Sequence, residues 1–455
     1  MLLPPSKSNP ASKSLSSRRR FLQVAASALG TGPFIQRSSG SPNGKVQHAS
    51  FGASGMAGTD LRKLAAHPDV QLVAVADVDL ARTAQVQAEF PGVRIYQDWR
   101  ELLEEEGDQI DSCNVSTPDH MHAIIALQAL ERGKHVYCQK PLAHNISETR
   151  RLREKAASTR LVTQMGTQLA SYTSDLSTQA WIQAGAIGKV RKVYTFSGKT
   201  WGDPNPLPDR EDPVPETLNW DQWNGVADPA ARFVQGAYHP GNWRKRQAFG
   251  TGTLGDMGCH MFNGWFRSLG LSAPLSIKST GPAPQHGNWA IDGEIHYLFP
   301  GTQFTAEKTI EVIWSDGAKR PPAEIVALLG ETFPREGSVY VGEEGILLAP
   351  HGGWVRIFRD GKLVEQAVHR FKDVPGLAET HWFEFIDAIL GRTAGKSPKS
   401  NFDFAGPLTE AVLLGNVASF FAGETLVWDA AAMTFPSKPE ANRLLSRAYR
   451  QGWAL

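Results

Sequence analysis

Three groups of residues have types and spacings suited to chemistry. Tyr137-Cys138-Gln139-Lys140-Pro141 closes an apolar, strand-like run with a lysine that precedes proline. At the end of a sheet strand, Lys140 can hydrogen-bond a substrate hydroxyl and ease its deprotonation as hydride leaves the carbinol carbon. Leu254-Gly255-Asp256-Met257-Gly258-Cys259-His260-Met261 begins a helical pattern. Met257, Met261, Trp265 and Leu269 make its apolar stripe; Asp256, His260, Asn263 and Arg267 make a polar one. Asp256 and His260, four apart, share a face. Histidine takes a proton near neutral pH, and a carboxylate orients an imidazole or a sugar hydroxyl. A surface lysine, and a helix cap beside a core histidine, are the plainer readings of the same residues.

Upstream, Tyr238-His239-Pro240-Gly241-Asn242-Trp243-Arg244 mixes aromatic and polar donors. Trp201 and Trp243 offer flat apolar surfaces to sugar C–H faces, and Arg244 offers donors to hydroxyls. Trp220 and Trp223 fit a structural role equally well.

The third group reads as a nucleotide site. Gly52-Ala53-Ser54-Gly55-Met56-Ala57-Gly58 follows a short apolar run and opens a helical pattern. Glycines there permit a tight turn and a close approach of backbone N–H groups to a pyrophosphate. Ser54 occupies the usual second glycine position and Ala57 the third, so the turn alone is a weak signal. Asp77 strengthens it, ending the run Leu72–Ala76 twenty-five residues after Gly52. A carboxylate there accepts from the adenosine ribose hydroxyls and repels a 2′-phosphate, which favours NAD over NADP. Asp77 or Asp79 could instead cap the next helix. Asn114, Ser116, Thr117 and Pro118 end a further run, with His120 and His122 after them. Small polar side chains at that strand end suit a cofactor. The histidines lack a zinc-type spacing, so no metal is expected.

These groups need a scaffold to hold them. From Lys45, apolar runs at Gln47–Phe51, Gln71–Ala76, Ile110–Val115, His135–Cys138 and Leu161–Gln164 alternate with helical segments Met56–Ala66, Leu80–Glu89, His120–Arg132 and Ser147–Ala157. That rhythm predicts an α/β, doubly wound Rossmann domain with a parallel sheet over 45–168, its ligands beyond the carboxyl ends of the strands. Beyond it, Val190–Ser197, Glu294–Phe299, Gln303–Trp314, Ser338–Val341 and Gly345–Ala349 read as strands. His381–Leu390 and Pro407–Phe421 read as helices. They predict a second α+β domain over 169–455 with a large, mostly antiparallel sheet.

Composition limits the alternatives. The chain has 455 residues, 41% of them hydrophobic, enough for two domain cores. A formal charge of +1 gives no reason to expect nucleic acid or an anionic membrane as partner. Three cysteines make no disulfide framework. Ahead of the first domain, Ser17-Arg18-Arg19-Arg20-Phe21-Leu22 and the apolar Phe21–Gly30 read as a leader over 1–40. Paired arginines before Phe-Leu resemble the signal for export of folded proteins by the twin-arginine machinery, which predicts a periplasmic or otherwise exported protein. Gln23 stands where a lysine is frequent, and no clean Ala-x-Ala precedes Lys45.

Together these motifs carry a resemblance. Val115-Ser116-Thr117-Pro118-Asp119-His120, Cys138-Gln139-Lys140-Pro141-Leu142, Gly255-Asp256-Met257-Gly258-Cys259-His260 and Asn401-Phe402-Asp403-Phe404-Ala405-Gly406-Pro407 match one pattern. The chain, from about Lys45 to Trp453, resembles the glucose-fructose oxidoreductase / inositol dehydrogenase / rhizopine-catabolism family (Gfo/Idh/MocA), especially its exported bacterial branch. The resemblance implies NAD(P)-dependent oxidoreductases acting on sugars and cyclitols, and an open sheet that makes homo-oligomers, dimers or tetramers. The family's Glu-Lys-Pro lysine falls on Lys140, and its Asp-x-x-x-His pair on Asp256 and His260. It assigns proton transfer to the lysine and histidine. Gln139 replaces the usual glutamate, removing a charge beside Lys140. Met165-Gly166-Thr167-Gln168 resembles the branch's Met-Gly-Asn-Gln segment, which puts Gln168, with Met56 and His120, among the expected cofactor residues. The expectation is an NAD-dependent oxidoreductase on a sugar, cyclitol or glycoside hydroxyl, with a retained, recycled cofactor. A glycoside-cleaving enzyme using oxidation, elimination, hydration and reduction is the alternative, and a silent sugar-binding protein the third reading.

Overall fold

A computed structural model describes residues 44–329, 333–367 and 380–454. The leader with its arginine pair lies outside the described residues. Six strands, β1 (Val46–Phe51), β2 (Val70–Ala76), β3 (Arg94–Tyr96), β4 (Ser112–Val115), β5 (His135–Cys138) and β6 (Thr163–Met165), form one sheet in the order 3-2-1-4-5-6. Every pairing in it is parallel. Its crossovers carry helices α1 (Met56–Ala65), α2 (Ala84–Glu89), α3 (Trp99–Glu105), α4 (Asp119–Glu131) and α5 (Ile146–Ala157). Parallel strands are covered on both faces, and β2 accordingly buries six of its seven residues. Order reverses between β1 and β4, where such sheets leave a crevice at their carboxyl ends.

The second sheet has nine strands: β7 (Val190–Ser197), β8 (Ser276–Ser279), β9 (Glu294–Pro300), β10 (Thr309–Asp316), β11 (Glu336–Gly342), β12 (Ile346–Pro350), β13 (Val355–Arg359), β14 (Lys362–Ala367) and β15 (Thr425–Val427). Their order is 14-13-12-11-7-10-9-8-15, antiparallel wherever register is set except between β7 and β10. β9 alternates buried and half-buried residues, as a strand packed on one face should. The packed face meets helix α8 (Gly252–Ser268), which follows α6 (Thr173–Gln183) and the single-turn α7 (Trp220–Asn224). Phe262 lies 5.5 Å from Tyr297, and Trp265 5.5 Å from Phe299, ring centre to ring centre. With 15 of its 17 residues buried, α8 is held on all sides, so the side chains of its first turns have fixed places.

After the short α9 (Ala323–Ala327), helices α10 (Thr380–Ile389) and α11 (Phe402–Ser419) return to the first sheet. Trp382, Phe385 and Ile386 pack with Val46, Leu64, Val70 and Tyr137. Arg150 on α5 grips Glu410 on α11 through two hydrogen bonds of 2.7 and 2.8 Å.

Several elements differ from the sequence reading. Leu80–Glu89 is a 3-10 turn, Leu80–Arg82, followed by α2: Arg82 and Thr83 bond back three residues, to Asp79 O and Leu80 O, and α2 starts afresh after Thr83. Gln303–Trp314 becomes a strand only at Thr309; before that, Thr305 folds back onto Thr302. The Pro407 helix starts five residues earlier, at Phe402, where Asn401 caps the N–H groups of Asp403 and Phe404. All three cysteines are free and buried. No helix among the described residues is long and apolar enough to cross a membrane.

Candidate active site

β1 delivers the glycine turn to the crevice. Gly52 has φ 108° and Gly55 φ 60°, conformations that side chains resist. A Cβ on Gly52 would sit 2.7 Å from Ala57 Cβ and 2.9 Å from Ser116 O, so the turn lies tight against the end of β4. Asp77 ends β2; its carboxylate accepts from the Ala53 N–H at 2.9 Å and the Asp79 N–H at 3.0 Å. Burial pushes its pKa up against those bonds. Asp79 itself caps the following turn.

A cavity of about 540 Å³ runs along the strand ends. Gly52, Ser54, Gly55, Met56 and Asp77 line its β2 end. Ser116, Thr117, Pro118, Gln139 and Gln168 line the middle. Lys140, Trp201, Trp243, Arg244, Asp256 and His260 line the far end. Two expected residues stay out of it. Asn114 lies behind the wall, between His48 and Ser116. His120 packs on Trp223 and Phe249, its Nε2 3.1 Å from Trp223 O. Trp220 and Trp223 stack on each other, ring centres 4.5 Å apart, within a cluster that includes Tyr238 and Phe249.

The far end is organised around one carboxylate. Lys140 Nζ donates to Asp256 Oδ1 at 2.8 Å and to the Asp256 carbonyl at 2.6 Å. Arg244 Nε donates to Oδ1 at 3.1 Å, and Lys199 Nζ to Oδ2 at 3.4 Å. Burial opposes the charge, but the three cations prevail and hold Asp256 well below the usual carboxylate range. The Arg244 guanidinium lies over the Trp243 ring at 4.3 Å and within 5.4 Å of Trp201. Asp256 and His260 share the helix face, yet no hydrogen bond joins them. His260 Nδ1 is buried without a partner, and its ring centre lies 5.4 Å from that of His351. Burial, then the Lys140 charge, lowers the His260 pKa well below 6.5. Burial likewise lowers His351 to about 4. Both rings are therefore neutral at pH 7.

Lys199, Glu336 and His351 also line this end, and sequence reasoning missed all three. Pairing brings them together: Glu336 on β11 faces Ser197 at the end of β7, and His351 N–H bonds Glu336 O. No local pattern marks residues whose only link is strand register. Segment 217–239 has a place that its aromatic residues did not announce. It crosses the β2 end of the cavity, with Asn219 N–H on Val78 O, Leu80 N–H on Thr217 O and His239 Nε2 3.0 Å from Asp79 Oδ2.

The residues present fit a dinucleotide. Backbone N–H groups open α1 at the glycine turn, a carboxylate ends β2, and the buried Thr117 Oγ1 faces the crevice region without a partner. Fold and site together define a dinucleotide-binding protein of the doubly wound class. More narrowly, residues 47–167 match the model of the GFO_IDH_MocA oxidoreductase family, described as an NAD-binding Rossmann fold. A levoglucosan dehydrogenase of Pseudarthrobacter phenanthrenivorans is 26% identical over 197 residues. The match covers 43% of this chain and 41% of that protein, so the chain spans about two fifths of that curated relative's length. Among solved structures, aldose-aldose oxidoreductase from Caulobacter crescentus, complexed with glycerol, superimposes with TM-score 0.60 at 17% identity. It covers 84% of this chain and 100% of that one. An inositol dehydrogenase homolog from Azotobacter vinelandii, complexed with NADH and myo-inositol, gives 0.59 at 18% identity, over 84% and 98% of the two chains. These likenesses show the fold.

Proposed function

We propose that the chain is an NAD-dependent oxidoreductase acting on a hydroxyl of a sugar or cyclitol. The observation that carries this reading is Lys140 held on Asp256, beside the neutral His260, in the cavity that begins at the glycine turn. NAD, when bound, supplies the hydride acceptor and donor. Gly52, Ser54, Gly55, Met56 and Asp77 would hold its adenosine half, and Ser116, Thr117, Gln139 and Gln168 the remainder. The Lys140 ammonium donates a hydrogen bond that orients the reacting hydroxyl, and the neutral His260 takes the hydroxyl proton as the C–H bond breaks. Asp256 keeps the Lys140 ammonium in place, and Trp201 and Trp243 with Arg244 shape the sugar end. Levoglucosan, for which one relative is named, and myo-inositol, bound in a structural neighbour, belong to the same chemical class.

The cofactor is retained and recycled. Segment 217–239, bonded across the β2 end of the cavity, supports retention. Export through the twin-arginine route, supported by Arg18 and Arg19, would carry a loaded enzyme to a compartment poor in free NAD. Assembly as a homo-oligomer is supported by the exposed Leu363 and Val364 on β14 and Trp354 just before β13.

The test is to release and identify any copurifying nucleotide, then supply sugars and cyclitols and follow bound NADH. Turnover that survives Lys140→Ala and His260→Ala would sink the site. Rapid nucleotide loss on dilution would sink retention, and a cytoplasmic location unchanged by Arg18→Lys with Arg19→Lys would sink export.

Two neutral imidazoles, where alcohol oxidation needs one base, favour a second reading as a glycoside-cleaving enzyme. Oxidation of a hydroxyl acidifies the neighbouring C–H, whose proton one ring accepts as the aglycone leaves with the bonding pair. Water then adds and the ketone is reduced again. Aglycone release without net NADH, and solvent deuterium at that carbon, would distinguish it.

A further inference from the structure

Gln139, where the resembling family carries glutamate, faces a buried carboxylate. Its Nε2 donates to Asp60 Oδ2 at 2.8 Å. Asp60, on α1, is fully buried. Ser116 Oγ donates to the same oxygen at 2.8 Å, while Trp382 Nε1 and Tyr137 OH reach Oδ1 at 2.9 and 3.4 Å. Behind Ser116 the donors all point one way. Asn114 Nδ2 donates to Ser116 Oγ at 3.0 Å, leaving the serine proton for Asp60. Asn114 Oδ1 accepts from His48 Nε2 at 3.0 Å, so His48 Nδ1 accepts from Ser112 Oγ at 2.8 Å. A carboxylate surrounded by four donors is arranged for its charged form; a protonated oxygen would have to point its hydrogen at one of them. Among the described residues Asp60 has no ion-pair partner within 4.0 Å. Burial pushes its pKa up to about 6, with the four donors holding it down, so it is ionised at pH 8.

We infer that Asp60 is an electrostatic positioning residue: a buried anion, one hydrogen bond behind Ser116 and Gln139 of the cavity wall, that favours the cationic oxidised nicotinamide over the neutral reduced one. The inference rests on the cofactor reading above. It puts a carboxylate on α1 behind the position of the missing glutamate charge, and it makes bound NADH a readier hydride donor. Gly166 supports the placement, since a Cβ there would meet the Gln139 amide at 2.6 Å and push it off Asp60.

The test compares dissociation constants of NAD⁺ and NADH at pH 8 by calorimetry, using full-length protein stripped of nucleotide. In Asp60→Asn the preference for NAD⁺ over NADH should fall about tenfold, the effect of one unit charge across a partly screened protein interior. Asp60→Asn/Gln139→Glu moves the carboxylate one bond nearer the cavity and should hold the preference at or above the wild-type value. Loss of packing alone would weaken both nucleotides equally. A ratio within twofold of wild type in Asp60→Asn overturns the inference. So does a double variant whose ratio falls below wild type, which decides the matter if the single variant does not fold. No binding of either nucleotide by the wild type overturns the cofactor reading as well.

Discussion

Lys140 Nζ contacts Asp256 twice, at 2.8 Å through the carboxylate and at 2.6 Å through the backbone carbonyl. The first bond ties charge to charge; the second ties β5's end to a specific turn of α8. A lysine held by both cannot swing into solvent without breaking two bonds, so its ammonium is placed before substrate arrives.

Removing that ammonium should therefore cost chemistry more than binding. Lys140→Met is expected to lower the rate of hydride transfer ~10²- to 10⁴-fold, the usual range for a general acid–base group. Arg244 and Lys199 still neutralise Asp256, so the protein should fold. Single-turnover absorbance at 340 nm, beside a thermal melt, separates the two effects.

Asp256→Asn is the opposite case, since it leaves three cations facing one another. Breaking a buried ion pair on one side costs about 3 kcal/mol, and less here because Lys199 is 39% exposed. Its folded pKa is depressed, so the stability it contributes is present above about pH 4 and lost as pH falls through the folded value. Denaturant melts should show the wild-type advantage at pH 7 shrinking towards low pH; an advantage that grows on acidification would contradict the assignment.

Gly52→Ala tests the cofactor turn. The added methyl meets Ala57 Cβ and Ser116 O at a φ of 108°. Strain of about 1–3 kcal/mol should open the turn, and nucleotide affinity measured by fluorescence should drop while the second sheet stays folded by circular dichroism.

Asp316 gives a pH effect of the other sign. It is buried at the end of β10, accepting from Gly293 N–H at 2.8 Å and Trp314 Nε1 at 3.0 Å, and burial raises its pKa to about 6. The stability linked to its protonated form is complete below about pH 4 and is lost as pH rises through 6, up to about 3 kcal/mol. Asp316→Asn should flatten that fall. A wild-type minus variant difference that does not change between pH 4.5 and 8 would count against it.

Much of the scaffold was readable because parallel strands and their crossovers write their burial into local pattern. His135–Cys138 and Val190–Ser197 match the sequence reading end to end. Arg94–Tyr96 did not show itself: its residues are exposed or half-buried at the sheet edge, so apolar periodicity is absent. The glycine turn, Asp77, Lys140 and Asp256 were readable because each sits at a fixed offset from an element's end. Asp256 and His260 share the helix face read from their spacing but make no hydrogen bond, because three cations outcompete a neutral imidazole for one carboxylate.

By itself, the amino-acid order determined two sheets of different kinds, the strand ends that would carry polar groups, and the residue types available there. Those follow from short-range periodicity and from what glycine, proline and aspartate do to the backbone. Only the tertiary structure decided which groups meet. Asp60, Gln139, Ser116 and Trp382 stand at one carboxylate although Asp60 and Trp382 are 322 positions apart, and Lys199, Glu336 and His351 reach one cavity through strand register. The reason is physical: a charge in a buried site is set by everything packed around it, and that neighbourhood does not exist until the chain has closed.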